Sequence, residues 1–491
     1  MAGIGFELKK LFRRKGLVAM VRAYGYAGVI CTGPMLLGIL LQFGVLAVSG
    51  WWHMPRADRD LLVCMITYTL LASLVLTSFL SMPVTRFLAD MLFEHHEETV
   101  LPSFWGSTTI MLAVGAVLYT VFLLFSGATL MQGLLCLWLF LEMIVNWNAM
   151  SYLTAIKDYQ GIMWSFVAAV VVAFLSACAM MALGLPQVES LLAAVAFGYG
   201  VMMVWDVLLL HRYFPQGSES PWTFLAWLDR FLPLALTGLL TTLGLFSHLV
   251  ITWCGPLGVH VKGLFYGAPY YDVPALLAFL TILITTVNFV VSVEVNFYPK
   301  YRAYYALLND GGTVKDIVVA EREMLAVLNR ELYYTALKQL FVTAAVISLE
   351  KMVCVLPLGF NDGMHGYFRV LCVGYALYAV GNTVLMILLY FTDYFGAVCC
   401  AAIFAGSATV STVISQFVPV TLMGFGFLLG ASTFLLAAVV RLAVFTDNLP
   451  YRVLGAQPIV ATEKRGWFTK LGEALDEFGE RLHGTFGRKE S

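Results

Sequence analysis

Residues 1–34 read MAGIGFELKKLFRRKGLVAMVRAYGYAGVICTGP, and this stretch decides the class of the protein and its orientation. It contains five cations (Lys9, Lys10, Arg13, Arg14, Lys15) and an apolar stripe (Ile4, Phe6, Leu8, Leu11, Phe12). A basic amphipathic segment of this kind lies on an anionic membrane surface, where each cation contributes on the order of 1 kcal/mol. We therefore expect the amino terminus to lie in the cytoplasm.

An apolar run from Leu17 to Val48 follows the basic segment. Secretory signal peptides begin in the same way, and Ala47-Val48-Ser49 has small residues at a cleavage spacing, but the run is about twice the length of a signal's apolar region. We interpret it as a retained first membrane helix. Because proline removes a backbone donor, the Gly33-Pro34 pair is predicted to kink this helix near mid-bilayer, for packing or for function.

The composition excludes an ordinary soluble protein. Sixty per cent of the 491 residues are hydrophobic and 12 per cent are charged, with a mean hydropathy of +0.84, whereas soluble domains carry about 25 per cent charged residues. The net charge of −1 gives no sign of nucleic-acid binding. Nine cysteines without a CxxC spacing, and no Walker A, GxSxG or HExxH motif, predict a protein without metal, cofactor or catalytic residues.

Apolar stretches long enough to cross about 30 Å of hydrocarbon predict about twelve transmembrane helices. They cover 17–49, 60–81, 104–125, 130–154, 162–184, 190–212, 225–252, 273–297, 333–356, 367–391, 395–417 and 420–445. By the positive-inside rule, about 24 of the 29 Lys and Arg residues then lie in the cytoplasm and about 5 outside. Both termini are therefore predicted to be cytoplasmic.

The loops divide these helices into two halves. An amino-terminal six-helix half (1–212) and a carboxy-terminal half (225–445) are joined by a cytoplasmic linker (213–224). Residues 298–332 form a helical cytoplasmic loop, and 446–491 form a cytoplasmic amphipathic tail. The tail places six apolar residues on one face: Trp467, Phe468, Leu471, Leu475, Phe478 and Leu482. Docking of a cytosolic partner and contact with membrane lipid are both open for that face.

Acidic residues inside apolar spans are costly, so each is a functional candidate. Glu142 and Asn146 lie four residues apart on one helix face, and we interpret them as lining a polar cavity, with an interhelical hydrogen bond as the alternative. Asp206 lies about one and a half turns before His211 and Arg212, near the inner end of its helix where water can reach it, and is predicted to act in transport. Glu294, with Asn288 one and a half turns earlier, is predicted to line an entrance to a substrate pathway or to form an interfacial ion pair.

Two further titratable residues inside spans are interpreted as structural and not as part of a substrate pathway. Glu350 lies near the outer end of its span, and we expect it to snorkel to the outer surface. His248 is expected to be a packing histidine. Asp58-Arg59-Asp60 is a DxD motif of the kind that polytopic glycosyltransferases use, but its loop is only about ten residues long.

Three segments resemble a single transporter family. They are MAGIGFELKK with Tyr24-Gly25-Tyr26-Ala27 and Gly33-Pro34; Pro233–Gly238 (PLALTG); and Glu294–Tyr298 (EVNFY) with Tyr301–Tyr305 (YRAYY). The chain thereby resembles the PelG family, inner-membrane transporters of the Pel exopolysaccharide in the superfamily of multidrug, oligosaccharidyl-lipid and polysaccharide flippases (MOP). One departure lies at 243–250, where the resemblance implies polar or charged residues and this chain has only Ser247 and His248.

The resemblance implies a fold, a substrate and partners. The fold is an all-α integral membrane protein with about twelve transmembrane helices in two six-helix bundles, MATE/flippase-like. The substrate is Pel, an N-acetylgalactosamine-rich, partly deacetylated biofilm polysaccharide that would pass between the halves. The partners are the cytosolic glycosyltransferase PelF and the membrane proteins PelD, a cyclic di-GMP receptor, and PelE.

Three alternatives stay open from the sequence. A solitary cation-coupled flippase for drugs or lipid-linked oligosaccharides would work without partners. A membrane scaffold would anchor a synthase without conducting anything. A membrane glycosyltransferase would depend on the aspartates of the DxD motif.

Overall fold

Apolar helices make up nearly all of the structure, a computed structural model that describes residues 38–41, 43–156, 159–309, 311–358, 360–455 and 465–487. Within these residues, eleven helices are long and apolar enough to cross a membrane, and a shorter apolar helix precedes them. The predicted all-α membrane fold with about twelve spans is confirmed. The basic lead-in and the kink at Gly33 and Pro34 lie outside the described residues.

The first eight helices are α1 (Gly38–Trp51), α2 (Arg56–Phe93), α3 (Val100–Phe125), α4 (Leu130–Ile156), α5 (Tyr159–Ala182), α6 (Gln187–Tyr213), α7 (Leu225–Arg230) and α8 (Leu232–Trp253). A hairpin of β1 (Val259–Lys262) and β2 (Phe265–Gly267) follows. The other helices are α9 (Pro269–Leu280), α10 (Leu283–Val291), a π-helix (Ser292–Phe297), α11 (Tyr298–Asn309), α12 (Val314–Leu358), α13 (Asp362–Tyr390), α14 (Tyr394–Ser415), α15 (Phe425–Thr446), α16 (Leu449–Gly455) and α17 (Trp467–Gly487).

Three predicted spans have different bounds in the structure. The span 225–252 is interrupted at Phe231, because Pro233 cannot continue the helix of α7 without a clash and a lost hydrogen bond. The span 273–297 is two α-helices and a π-helix, because α9 ends at Leu280 and a turn at Thr281 and Ile282 precedes α10. The span 333–356 is the second part of α12, which is continuous for 45 residues because no glycine and only Pro357 occur in it.

Contacts between residues divide the chain into two compact units. The N-terminal unit contains 38–243, 260–267 and 465–487, and the C-terminal unit contains 244–259 and 268–455. In the N-terminal unit, α4 packs on α2, α3 and α6, and α6 packs on α5. In the C-terminal unit, α13 packs on α9, α12 and α15. These contacts place α4 and α6 side by side, which positions the candidate site described below.

The carboxy-terminal helix α17 docks within the N-terminal unit. The Asp229 carboxylate accepts hydrogen bonds from the backbone N–H groups of Phe468 (3.1 Å) and Thr469 (2.7 Å) and from the Thr469 hydroxyl (2.7 Å). A carboxylate at a helix N-terminus satisfies donors that the helix itself leaves unpaired. Burial raises the pKa of Asp229, but these hydrogen bonds outweigh it and lower the pKa below the ordinary value of 3.8.

Substitution Asp229→Ala is expected to weaken the docking of α17 by about 1 to 2 kcal/mol, because the first turn of the helix loses its acceptor. Faster amide exchange at 467–471 would show the loss, and Glu219→Ala, an exposed acid of the same connection, is the control. The lowered pKa means that the contribution of Asp229 is complete above pH 3.8 and is lost as pH falls through the lowered value. Docking should therefore not change between about pH 5 and 8. Release of α17 within that window would contradict this role.

Candidate functional site

A cavity of about 720 Å³ lies between α4 and α6 in the N-terminal unit. Trp138 and Glu142 of α4 form one wall. The described residues of α6 on the other wall are Phe197, Gly200, Val201, Met203, Val204, Trp205, Leu208, Leu209 and Arg212. The lining residues of α6 run from Phe197 to Arg212. At a rise of 1.5 Å per residue, the cavity is therefore a groove about 22 Å long, with the aromatic ring of Phe197 at one end and the cationic Arg212 at the other.

The sequence of α6 forms this wall by its periodicity. Phe197, Val201, Val204 and Leu208 recur at three- and four-residue spacing, which puts them on one side of the helix. Gly200 leaves room for the opposite wall, since a Cβ atom there would lie 2.8 Å from Oε1 of Glu142. The groove therefore depends on the absence of a side chain at this position.

Glu142 is the one carboxylate among the described residues that line the groove. Glu142 is 4% exposed, and its Oε2 atom has no hydrogen-bond partner within the described part of the chain. A buried polar atom without a partner is costly, and a ligand that supplies a donor there would remove this cost. The aromatic rings of Trp138 and Phe197 lie edge to face beside it, with centroids 5.7 Å apart.

Asn146, one turn after Glu142, also faces α6. Its Nδ2 donates to the carbonyl of Tyr199 (3.1 Å), and its Oδ1 has no hydrogen-bond partner among the described residues. The amide nitrogen of Asn146 therefore forms an interhelical hydrogen bond, which was the alternative to lining a cavity. The acceptor Oδ1 remains available for a ligand. A role for Asn146 in a pathway stays a prediction.

Asp206 does not line the groove. It is fully buried and lies nine residues after Phe197, which is two and a half turns and therefore the opposite side of α6. Of the two acidic pathway candidates in the amino-terminal half, Glu142 therefore lines the groove and Asp206 does not. A transport role for Asp206 stays a prediction.

The candidates in the C-terminal unit lie on an interrupted helix. Asn288 of α10 donates to the Thr335 hydroxyl (2.7 Å) and accepts from Nζ of Lys338 (2.5 Å), both on α12. Gln339 accepts from the Thr285 hydroxyl, which extends this polar contact between the two helices. Glu294 lies in the π-helix, and its side chain is outside the described part of the structure. The pathway roles of Asn288 and Glu294 stay predictions.

Glu350 differs from its prediction. It is 1% exposed, not extended to the outer surface, and its carboxylate accepts from Nε of Arg369 at 2.8 and 2.9 Å. Nδ1 of His365 lies 3.0 Å from the same carboxylate. The prediction was wrong because both partners come from α13, and only the packing of α12 on α13 brings them to Glu350.

His248 of α8 is fully buried, as expected of a packing histidine. Its two ring nitrogens lie 2.9 Å from the hydroxyl of Tyr271 and 3.2 Å from that of Tyr375. Within the described ranges, no three His, Cys, Asp or Glu side chains are arranged to hold a metal ion.

Sequence reasoning missed most of the groove. It selected acidic residues and asparagines inside spans, whereas Trp138, Phe197 and Trp205 are aromatic, and Arg212 was given no role at the end of its predicted span. The available signal was the spacing of aromatic residues along α6 ending in a cation. Lys338 lies inside the predicted span 333–356 but was not selected, although the structure shows that it donates to Asn288.

Comparison with known proteins gives a family and a fold. The family model described as "PelG: Putative exopolysaccharide Exporter (EPS-E)" matches residues 1–454. A search of curated protein sequences finds no match. The chain is similar to the outward-facing conformation of a multidrug resistance MATE family transporter of the MOP superfamily, with TM-score 0.57 and 14% identity over 88% of this chain and 97% of that one.

Two other solved structures agree with this likeness. The inward-facing conformation of a MATE family transporter has TM-score 0.56 and 14% identity, over 88% of this chain and 100% of that one. A MOP superfamily transporter from Pyrococcus furiosus Vc1 (DSM3638) has TM-score 0.55 and 15% identity, over 87% and 96%. At these identities the likeness shows the fold alone. The predicted MATE/flippase-like architecture is confirmed.

Proposed function

We propose, because this chain belongs to the PelG family of exopolysaccharide exporters, that it moves the Pel polysaccharide out of the cytoplasm across the inner membrane. The excess of Lys and Arg in the predicted cytoplasmic loops supports this location, with both termini inside the cell. Cells that lack this chain but keep the other synthesis proteins should then fail to display the polymer, and its reintroduction should restore display.

The observation that carries a site for the polymer is the buried carboxylate of Glu142 in an aromatic groove. Aromatic faces pack against the apolar faces of sugar rings, and a carboxylate accepts hydrogen bonds from hydroxyl groups and attracts amines. Ligand sites commonly combine a largely apolar wall with a few polar groups that fix orientation. In this proposal, the groove between α4 and α6 is part of the path of the polymer.

Partners belong to the proposal as well. The glycosyltransferase PelF would deliver the growing chain from the cytosol, and PelD and PelE would hold the complex in the membrane. Purification of the tagged protein from native membranes in mild detergent tests this assembly by mass spectrometry. Co-purification of the three proteins is expected, and a protein that is recovered alone under conditions that preserve other membrane complexes would contradict it.

A lipid-linked oligosaccharide flippase is the second candidate, because most of the groove wall is apolar and Arg212 lies at one end, where it could pair with a lipid phosphate. Partner dependence separates the candidates. The flippase would move its substrate in vesicles that contain this chain alone, whereas the exporter requires the synthase that makes its polymer.

Substitution Gly200→Ala is expected to lower export severalfold, because the new Cβ lies 2.8 Å from Oε1 of Glu142 and must displace that side chain. Gly133→Ala on α4 is the matched control, since nothing lies within 4 Å of a Cβ there. Surface polymer is measured at equal membrane levels of each protein. Equal export by both variants would remove the groove from the pathway.

A further inference from the structure

The C-terminal helix α17 lies beyond residues 1–454, the range that matches the family model. It is nevertheless fastened to the N-terminal unit by Asp229 at its first turn and, two turns later, by Asp476, whose carboxylate accepts from the Ser220 hydroxyl at 2.8 and 2.7 Å. Both attachment points belong to the connection between α6 and α8. One side of α17 therefore contacts the N-terminal unit, and the residues on its other side can be identified.

Docking uses only part of the apolar surface of α17. Phe468 and Leu475 pack against the hydrophobic core of the N-terminal unit, and a Cβ atom at Gly472 would lie 3.4 Å from Trp222. Trp467 and Phe478 do not take part and are 68% and 61% exposed. The single apolar face that the sequence predicts is thus divided between the protein and the exterior.

The two exposed aromatic residues form a stripe with neighbouring cations. Trp467 and Phe478 are eleven residues apart, which is about three turns and 16 Å along the same side of the helix. Lys470 and Arg481 are exposed and lie beside this stripe, within about 60° around the helix axis. Glu473 lies further round, away from the aromatic residues. Glu477 lies about 20° beyond Lys470 and pairs with Arg481, at 3.5 Å between Oε2 and Nη2. An aromatic stripe bordered by cations is typical of helices that lie in the headgroup region of an anionic leaflet.

The attachment point of α17 lies close to the end of a membrane span. Asp229 belongs to α7, and only Phe231 separates α7 from α8, which is apolar enough to cross the membrane. A helix fastened at Asp229 is therefore within a few residues of the bilayer boundary. On the predicted topology this is the cytoplasmic boundary, where anionic lipids attract Lys and Arg.

We propose that α17 is a membrane-surface anchor whose stripe of Trp467, Lys470, Phe478 and Arg481 binds anionic lipid of the cytoplasmic leaflet. The aromatic side chains enter the boundary between headgroups and acyl chains, and the two cations contact lipid phosphates. Because Asp229 and Ser220 tie the same helix to the connection between α6 and α8, the anchor holds that connection at the membrane surface. This inference does not depend on the identity of the transported substrate.

Trypsin access to the two cations tests the anchor. The full-length protein is reconstituted in vesicles of phosphatidylcholine, with or without phosphatidylglycerol, and cleavage after Lys470 and Arg481 is measured on molecules whose cytoplasmic side faces outward. Cleavage after Lys315, an exposed residue at the start of α12, is the reference in the same molecule. We expect phosphatidylglycerol to slow cleavage after Lys470 and Arg481 about tenfold relative to Lys315.

A double variant separates lipid contact from docking. In the variant Trp467→Ser with Phe478→Ser, phosphatidylglycerol should no longer protect Lys470 and Arg481 from trypsin. Amide exchange of α17 in detergent should stay as in the wild type, which would show that the helix is still docked. Glu473→Ser with Glu219→Ser, which changes two exposed acids outside the stripe, is the matched control and should keep the protection. Equal cleavage in both lipids, or protection that survives the aromatic double variant, would overturn the proposal. Protection that appears only when cytosolic protein is added would assign the stripe to a protein partner instead.

Discussion

Substitution Glu142→Gln is expected to lower polysaccharide export by about tenfold, because the amide turns one acceptor oxygen into a donor and leaves a donor of the ligand unpaired, at a cost of about 1 to 3 kcal/mol. The amide has nearly the shape of the carboxylate, so the walls of the groove should keep their positions. Surface polymer, compared at equal membrane levels of the protein, gives the measurement.

The matched control for Glu142 is Glu189→Gln. Glu189 lies in the first turn of α6 and accepts a hydrogen bond from Gln132 of α4 at 2.9 Å, so it joins the same two helices outside the groove. Its neutralisation should leave export near the wild-type level. Loss of export in both variants would show a requirement for helix packing, and loss in neither would remove Glu142 from the pathway. A non-conducting scaffold predicts the second result.

Substitution Arg369→Met is expected to lower the thermal stability of the protein, because it leaves the buried carboxylate of Glu350 without its strongest partner. The side chain of Glu350 has no exposed surface, and Nη2 of Arg369 lies 2.6 Å from its Oε1. Thermal unfolding of the purified protein in detergent measures the change. The effect concerns stability, since this pair lies outside the groove of the N-terminal unit.

A double variant tests the cause of that loss. Glu350→Gln combined with Arg369→Met removes both charges and should recover much of the stability, since no uncompensated charge remains buried. Arg369→Lys should fall between the wild type and Arg369→Met, because lysine keeps the charge but loses the two-pronged hydrogen bonding of arginine. A double variant as unstable as Arg369→Met would contradict the explanation by an unpaired carboxylate.

Apolar length and charge distribution were sufficient to predict the fold class. A run such as 130–154 of α4 can be buried in lipid only as a helix, so span number follows from composition. Interruptions were harder to predict. Pro233 signals one in the sequence, whereas the break at Thr281 and Ile282 has no proline or glycine.

The candidate site could be predicted only in part. Glu142 and Asp206 give the same sequence signal, an acid inside an apolar run. In the structure both are buried, but Glu142 of α4 lines the groove and Asp206 of α6 does not. Which face of a helix borders a groove depends on how the helices pack, and the sequence of each helix alone does not specify that. The same limitation applies to Glu350, whose partner Arg369 is 19 residues further along the chain on the next helix.

The amphipathic tail shows a third kind of limit. Its 3–4 periodicity predicts a helix with an apolar face, and α17 is that helix. Periodicity does not tell which part of the face contacts the protein. Phe468 and Trp467 are adjacent and similarly apolar, but the first packs on the core and the second is exposed.

The most direct test of polymer export uses inverted inner-membrane vesicles that contain this chain and its synthase. The vesicles receive nucleotide-activated sugars, and a glycoside hydrolase added outside digests any polymer that has not entered the lumen. Export predicts hydrolase-resistant polymer with the wild-type chain and about tenfold less with Glu142→Gln, at equal total synthesis. Polymer that is made in full but stays entirely sensitive to the hydrolase in wild-type vesicles would contradict the proposed function.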